Sequence, residues 1–384
     1  MNAIQPKSNF ICFTSLPVKY FKFIGICLQP PEMLSIKCAR VVAMVSIIIL
    51  FLHQFLYLFT PELTFSERIE AIGILNYTNV AIGKIFSLIY NRGLLLKNYC
   101  ELERIYPSVA VERHYKLGRY LRIYARVKSF LHTFFVYILI AYLLFPIAHS
   151  FYDLFSTGAY TYRMPAMFWY PLSVEESLLA YLFYISLQCV SCCCAAIVIL
   201  SADLCLYNTV AQLLLHLDML AQRILELQPA EKGSMRALKA IIEYHQTILL
   251  LAQDVNDIFA PSIIFSLASS SFILCFSAYQ LLGDVSFVFG AKVLLLLCYE
   301  MKQVVITCYY GDKLIESSSR VFDVLYAHDW TFGSPAYKRL VLIMMLRTHK
   351  PIALNVAGIA DVSLITLKQV LSTAYQVFAV LKTA

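Results

Sequence analysis

Residues 361–384 read DVSLITLKQVLSTAYQVFAVLKTA, and a segment of this kind demands particular neighbours. Asp361 is a suitable helix N-cap, and residues 362–381 are just long enough to cross a bilayer core as a helix. Ser363, Thr366, Lys368, Gln369, Ser372, Thr373 and Gln376 interrupt the apolar run. A spanning helix with this much polarity faces protein or a watery path rather than acyl chains. Two readings follow. Either the helix is packed in a bundle with its polar groups bonded to neighbours, or one of its sides is wetted.

The rest of the chain supplies the bundle. Of its 384 residues, 60% are hydrophobic and only 14% charged, and the mean hydropathy is +0.69. A soluble domain carries about a quarter charged residues, so the surplus apolar surface points to an all-α, polytopic membrane protein. Seven runs are long enough to span: 41–59, 71–90, 129–149, 178–200, 259–282, 285–309 and 362–381. The run at 340–346 is too short and reads as an amphipathic helix outside the bilayer. Residues 206–228 keep a helical apolar pattern beyond the fourth span. Glu231-Lys232-Gly233 makes a turn, and residues 235–254 climb back toward the fifth. No linker, low-complexity tract or repeat divides the chain, so a single domain over 1–384 is expected. Residues 41–300 form its transmembrane part, 301–361 a cytoplasmic anchor and 362–384 the last helix.

Lys and Arg set the orientation. The N-terminus carries Lys7, Lys19, Lys22, Lys37 and Arg40, and the second, fourth and sixth connections are basic as well. The first, third and fifth offer only Arg68 and Arg163. The positive-inside rule therefore puts the N-terminus in the cytoplasm and, after seven spans, the C-terminus outside. That is the reverse of a G-protein-coupled receptor. The net charge of +7 reports this orientation and is not a nucleic-acid signal. Residues 9–32 alternate aromatics with Lys19 and Lys22. They fit either a helix lying on the membrane surface or a packed N-terminal helix.

No catalytic constellation, phosphate-cradling glycine loop or metal-binding spacing stands out, and no cofactor is expected. The twelve cysteines fall in spans or on the cytoplasmic side, which argues against an external disulfide framework. Cys189-Val190-Ser191-Cys192 has a CxxC spacing but lies inside a span with no histidine nearby, and reads as small buried hydrophobes. The sequon Asn76-Tyr77-Thr78 lies within a span, so glycosylation is not expected there.

The stretch CYYGDKLIESSSRVFDVLYAHDW (308–330) resembles the helix-six signature of the insect odorant receptor family. Lys350-Pro351, Ala357-Gly358, Ser363-Leu364 and Thr373-Ala374-Tyr375 are similar to its C-terminal anchor and last helix. YRMPAMFWYPL (162–172) resembles its outer lid, and FKFIGICLQP (21–30) its N-terminal motif. The glutamine that the co-receptor and the gustatory relatives carry after a C-terminal tyrosine falls here at about Leu381. The co-receptor's long insertion between the fourth and fifth spans also has no counterpart in 202–259, so the resemblance is to an odour-tuned subunit.

That resemblance implies an odour-gated, non-selective cation channel in the plasma membrane, a heterotetramer built with an odorant co-receptor and lined by the last helix. Helical spacing puts Leu367, Leu371, Ala374, Phe378 and Leu381 near one face, with Lys382 at its edge. Phe378 and Leu381 would form a constriction that opens by wetting. A small hydrophobic volatile needs a mostly apolar, enclosed site. The outer halves of the second, third, fourth and sixth spans offer Leu75, Tyr77, Thr78, Tyr142, Phe145, His149, Tyr181, Tyr184, Phe287 and Phe289, with Trp169 and Tyr170 as cover. Lys292 and Glu300, charged at membrane depth, are further candidates. Competing expectations are a metabotropic seven-helix receptor, which the loop charges disfavour, a gustatory-type channel, and a transporter, which would show inverted repeats.

Overall fold

The computed structural model describes residues 8–27, 33–61, 63–158, 160–166, 168–171, 177–281, 287–356, 358 and 360–383. The side chains of Phe287, Phe289, Lys292, Leu381 and Lys382, all named above, lie outside what is described, as do residues 28–30, 172 and 357 of the quoted motifs.

Among the described residues, eleven α-helices run in chain order: α1 (Ser8–Phe23), α2 (Leu34–Tyr57), α3 (Phe65–Tyr90), α4 (Arg92–Ile105), α5 (Val109–His114), α6 (Gly118–Thr157), α7 (Leu178–Leu225), α8 (Ser234–Gln280), α9 (Phe287–Ala327), α10 (Pro335–Thr348) and α11 (Leu364–Thr383). One 3-10 turn, Trp330–Phe332, precedes α10. A two-stranded antiparallel hairpin, β1 (Asn355–Val356) and β2 (Ala360–Asp361), precedes α11. Among the described residues, six helices are long and apolar enough to cross a membrane: α2, α3, α6, α7, α8 and α9. The apolar part of α11, Leu364–Val380, is shorter.

α7 is the axis. At 48 residues it is about 72 Å long, more than twice the roughly 30 Å of a hydrocarbon core. Every residue from 198 to 221 is buried, as expected of a helix with apolar residues on all sides. α1, α2, α3, α6, α8 and α9 pack on it. α8 has 47 residues and runs unbroken through Pro261. Like α7 and α9, it continues past the spanning region into a basal bundle that also holds α1, α4, α5 and α10. The turn that reverses the chain into α8 is closed by Gly233 at φ 104°, a left-handed conformation that glycine adopts without a Cβ penalty.

Several local expectations meet a different outcome. The second basic connection is not a loop but the helices α4 and α5. Of the two readings of the N-terminal segment, the packed helix is the one observed. Phe10 lies edge-on to Tyr99 and Tyr106 at 5.2 and 5.5 Å, and Phe13 stacks on Tyr124 at 5.4 Å. Phe13 and Phe21 are fully buried, and burial of each such side chain contributes about 1.5–3 kcal/mol. Asp361 does not cap the last helix. It sits in β2, where its carboxylate accepts from Asn355 Nδ2 at 2.7 Å. Ser363 caps α11 instead. Its Oγ accepts from the Ile365 N–H at 3.2 Å, and its own N–H donates to Thr366 Oγ1 at 3.3 Å. The hairpin claims the aspartate first, and the next short hydroxyl satisfies the free helix donors.

Gly311 of α9 lets the chain entering α11 come close. A Cβ built there would lie 2.2 Å from the Val362 carbonyl oxygen.

Candidate functional site

The connection between α6 and α7 folds over one end of the bundle and is held by its backbone. The Trp169 N–H donates to the His53 carbonyl at 3.2 Å. Gln188 Nε2 donates to the Ala166 carbonyl at 3.0 Å, and the Tyr181 hydroxyl to the Arg163 carbonyl at 3.3 Å. Arg163 Nε donates to Asp153 at 2.8 Å, and His149 Nδ1 lies 3.4 Å from the same carboxylate. α2, α6 and α7 thus share the lid between them.

Beneath it the aromatic residues gather in two groups. Tyr170 packs on Tyr184 at 4.8 Å between ring centroids, with Phe168 and His53 beside them. Tyr142 is within electrostatic reach of Tyr170, Tyr77 and Cys192, and Tyr77 meets Tyr299 edge-on at 6.1 Å. Of the residues expected to converge, Tyr170 and Tyr184 are in direct contact, and Tyr77 and Tyr142 pack against the same core. Tyr181 belongs to a second group with Tyr160 and Tyr162. Phe145 and Trp169 are each 41% exposed, and His149 is engaged with Asp153. Thr78 is buried, but its hydroxyl bonds back to the Ile74 carbonyl at 3.4 Å. Leu75 is half-buried. Asn76 of the sequon ties α3 to α8 by donating to the Ser269 carbonyl at 3.2 Å.

Below Tyr77 lies a polar pocket whose charged residues, Glu300 apart, are not among the sequence-based candidates. Lys84 of α3 and Asp203 of α7 form a buried ion pair. Glu300 accepts from the Ser270 hydroxyl at 2.7 Å. Lys302 sits over the Tyr299 ring at 4.0 Å and interacts with Asp203 and Glu300. Lys84 and Asp203 each carry a readable signal, a charge inside a long apolar run. Their pairing across 119 positions carries none.

α11 packs on α8 and α9 through Thr366, Val370 and Ala374, each 8% exposed. Ala374, expected on the pore face, thus packs inward against its own subunit. Small and apolar, it continues the buried strip of Thr366 and Val370 at four-residue spacing. Leu367 packs against the core, Phe378 is half-buried beside Tyr375, and Leu371 is exposed. Lys368, Gln369, Ser372, Thr373 and Gln376 are exposed. The outward face of α2 is the opposite in character, with Val41, Val42, Val45, Ile48 and Leu52. α11 exposes Ile365, Tyr375 and Val380 besides its polar groups, so its outer surface is mixed where that of α2 is apolar.

The profile of the 7tm Odorant receptor family matches residues 64–375. Putative odorant receptor 85d of Drosophila melanogaster is 26% identical over 351 residues, covering 88% of this chain and 84% of its own. Odorant receptor 67c of the same fly is 25% identical over 402 residues, covering 98% and 96%. In fold, the chain is similar to the insect olfactory receptor OR5 from Machilis hrabei in complex with eugenol. The TM-score is 0.84 at 16% identity, over 98% of this chain and 99% of that one. With the family profile covering most of its length, this multi-pass membrane chain belongs to the seven-transmembrane odorant receptor family.

Proposed function

We propose that this chain is the odour-binding subunit of a ligand-gated, non-selective cation channel in the plasma membrane, assembled with an odorant co-receptor. Its N-terminus lies in the cytoplasm and its C-terminus outside. A small volatile docks among Tyr77, Tyr142, Tyr170 and Tyr184 under the lid, and α11 lines the conduit. The observation that carries this reading is the outward turn of polar groups on α11. A helix that shows Gln369, Ser372 and Gln376 to its surroundings, while α2 shows valine and leucine, is built to meet water or neighbouring subunits. The distribution of Lys and Arg supports the orientation. The Machilis hrabei receptor in complex with eugenol supports a small organic ligand. Leu371 and Phe378 border the exposed face and line the path. The basal bundle holds the subunits together.

The test is co-expression with an odorant co-receptor under voltage clamp, with cysteine introduced at Ser372 or at Val370. Odour-evoked cation current should survive G-protein blockade. A water-soluble thiol reagent should alter the current of Ser372→Cys and spare Val370→Cys. Native Cys12, Cys38, Cys100 and Cys298 are exposed, so each result is read against the unsubstituted chain. Current that requires G-protein turnover, or a Ser372→Cys channel indifferent to the reagent, overturns the reading.

A further inference from the structure

The pocket below Tyr77 has a chemistry that ordinary bundle packing does not require. It lies between α3, α7, α8 and α9, and two adjoining hollows make it up. The upper is bounded by Tyr77, Ser266, Ser270, Glu300 and Gln303. The lower is bounded by Lys84, Asp203, Ser262, Ser266, Gln303 and Thr307. Ser266, Ser270 and Gln303 line both, so the two adjoin, and the upper has no room for a water. Free space in the lower hollow is about 10 Å³, roughly the room that one water oxygen needs.

The hydroxyls around this space are almost all spent. Ser262 donates to the Phe259 carbonyl at 3.1 Å, Ser270 to Glu300 at 2.7 Å, and Thr307 to the Gln303 carbonyl at 2.9 Å. Thr307 also meets the Tyr207 hydroxyl at 2.8 Å. The exception is Ser266, whose buried hydroxyl has no partner. A buried hydroxyl without a partner is unfavourable unless a water or a ligand atom completes it. Each charge in and around the pocket already has a partner group: Lys84 pairs with Asp203, Lys302 sits over the Tyr299 ring, and Glu300 accepts from the Ser270 hydroxyl. A charged ligand group would leave one of the four uncompensated in a low-dielectric interior, whereas a neutral polar group would not.

We propose that this pocket is a head-group subsite: it takes the single oxygen function of a neutral odorant, with Ser266 and Gln303 as the groups that recognise it. Tyr77 borders the upper hollow and belongs to the aromatic group above, so a ligand with its oxygen on Ser266 would lay its carbon skeleton toward Tyr142 and Tyr170. The ligand class is a neutral alcohol, phenol, ketone or ester with one apolar end. The inference rests on the odour-binding reading given above.

The experiment uses the full-length chain co-expressed with a co-receptor, and three probes on one carbon skeleton: 2-phenylethanol, its methyl ether and ethylbenzene. Oxygenated probes should be at least about tenfold more potent than the hydrocarbon, because a site built to hydrogen-bond a group discriminates strongly against its absence. Ser266→Ala and Gln303→Leu should reduce that ratio severalfold by weakening the oxygenated probes alone, leaving ethylbenzene unchanged. Ser266→Ala is a small change and serves where Gln303→Leu fails to reach the surface. Current to all three probes with the ratio unaltered in Ser266→Ala overturns the subsite while leaving the channel reading intact. Absence of current to these probes and to a broad volatile panel overturns the channel reading itself, and the subsite with it.

Discussion

Asn256 of α8 grips Asn355 of β1 as a strand would. Its Oδ1 accepts from the Asn355 N–H at 3.0 Å, while its Nδ2 donates to the Ala353 carbonyl at 3.0 Å. Ser318 of α9 does the same one step earlier, its Oγ accepting from the Ile352 N–H at 2.9 Å. The Val362 N–H then returns to the Leu354 carbonyl at 2.8 Å. The segment between the basal bundle and α11 is therefore tied to two long helices that also reach the lid end. These bonds make the hairpin the direct link from α8 and α9 to the start of α11.

Asn256→Ala should uncouple that link. Two hydrogen bonds are lost, and the Asn355 N–H and Ala353 carbonyl lose their partner. A loss of about 1–3 kcal/mol is expected, depending on how well water replaces the amide. In detergent the variant should melt earlier than the parent. In cells it should reach the surface yet give smaller maximal currents at unchanged ligand affinity. An unchanged melting point and unchanged currents would show the contact to be incidental.

Gly311→Ala tests the close approach at the same junction. The added methyl would collide with the Val362 carbonyl, a backbone atom that no rotamer change can move. A cost on the order of 1–3 kcal/mol is expected, with α11 pushed outward. Gly93→Ala is the control, since a Cβ there meets nothing within 4 Å and alanine favours the helix. The thermal stability of the two purified variants should diverge in opposite directions from the parent.

The spans are legible in the sequence because a bilayer imposes a one-dimensional rule. Every backbone polar group must be bonded within its own helix, so each crossing needs one long apolar run. The long helical extensions beyond the spans are legible for a similar reason, as in the unbroken helical pattern after residue 200. Pairings between helices are not. Nothing local distinguishes the Lys84 that meets Asp203 from a lysine that snorkels to an interface. The cap of α11 fails for a different reason. Asp361 and Ser363 are both good caps two residues apart, and only the hairpin contact of Asp361 with Asn355 removes one from contention. Among the aromatics, spacing identifies Tyr77 and Tyr184, but Tyr299 enters the site only through the way α9 packs on its neighbours.

Glu226, just past the end of α7, ties that helix to α5 through its carboxylate. The Tyr115 hydroxyl donates to it at 2.6 Å, and His114 Nε2 lies 2.7 Å away. The Tyr115 hydrogen bond first, then His114 and Arg223, hold its carboxyl below the usual carboxylate range. Burial and the neighbouring Glu226 push the Tyr115 hydroxyl up to about 12. A carboxyl with a depressed folded-state pKa stabilises the fold fully above its unfolded value, near 4.3. It loses that contribution as pH falls through the lower folded value. Glu226→Gln should therefore melt slightly below the parent at pH 7, and the gap should close as the buffer is taken below about pH 4. With Glu226 half in solvent, the gap at neutral pH should be under about 1 kcal/mol.

Asp218 is the stronger basal contact. It lies 2% exposed on α7 and accepts from Arg119 of α6 at 2.7 Å, Arg320 of α9 at 3.0 Å and Gln222 at 2.9 Å. Three helices are thus joined on one carboxylate. Asp218→Asn keeps the shape, removes the charge and leaves the two guanidinium groups facing each other. Breaking a buried pair costs about 3–5 kcal/mol. Arg119 and Arg320 are 49% and 53% exposed, so water recovers part of this and about 2 kcal/mol is expected. Arg320→Gln alone should cost less, since Arg119 still neutralises the carboxylate. Measured as melting temperatures in one detergent, the order should be parent, Arg320→Gln, Asp218→Asn. A double variant close to Asp218→Asn alone would show that the arginine acts through the aspartate, whereas fully additive losses would show that the two side chains stabilise the bundle separately.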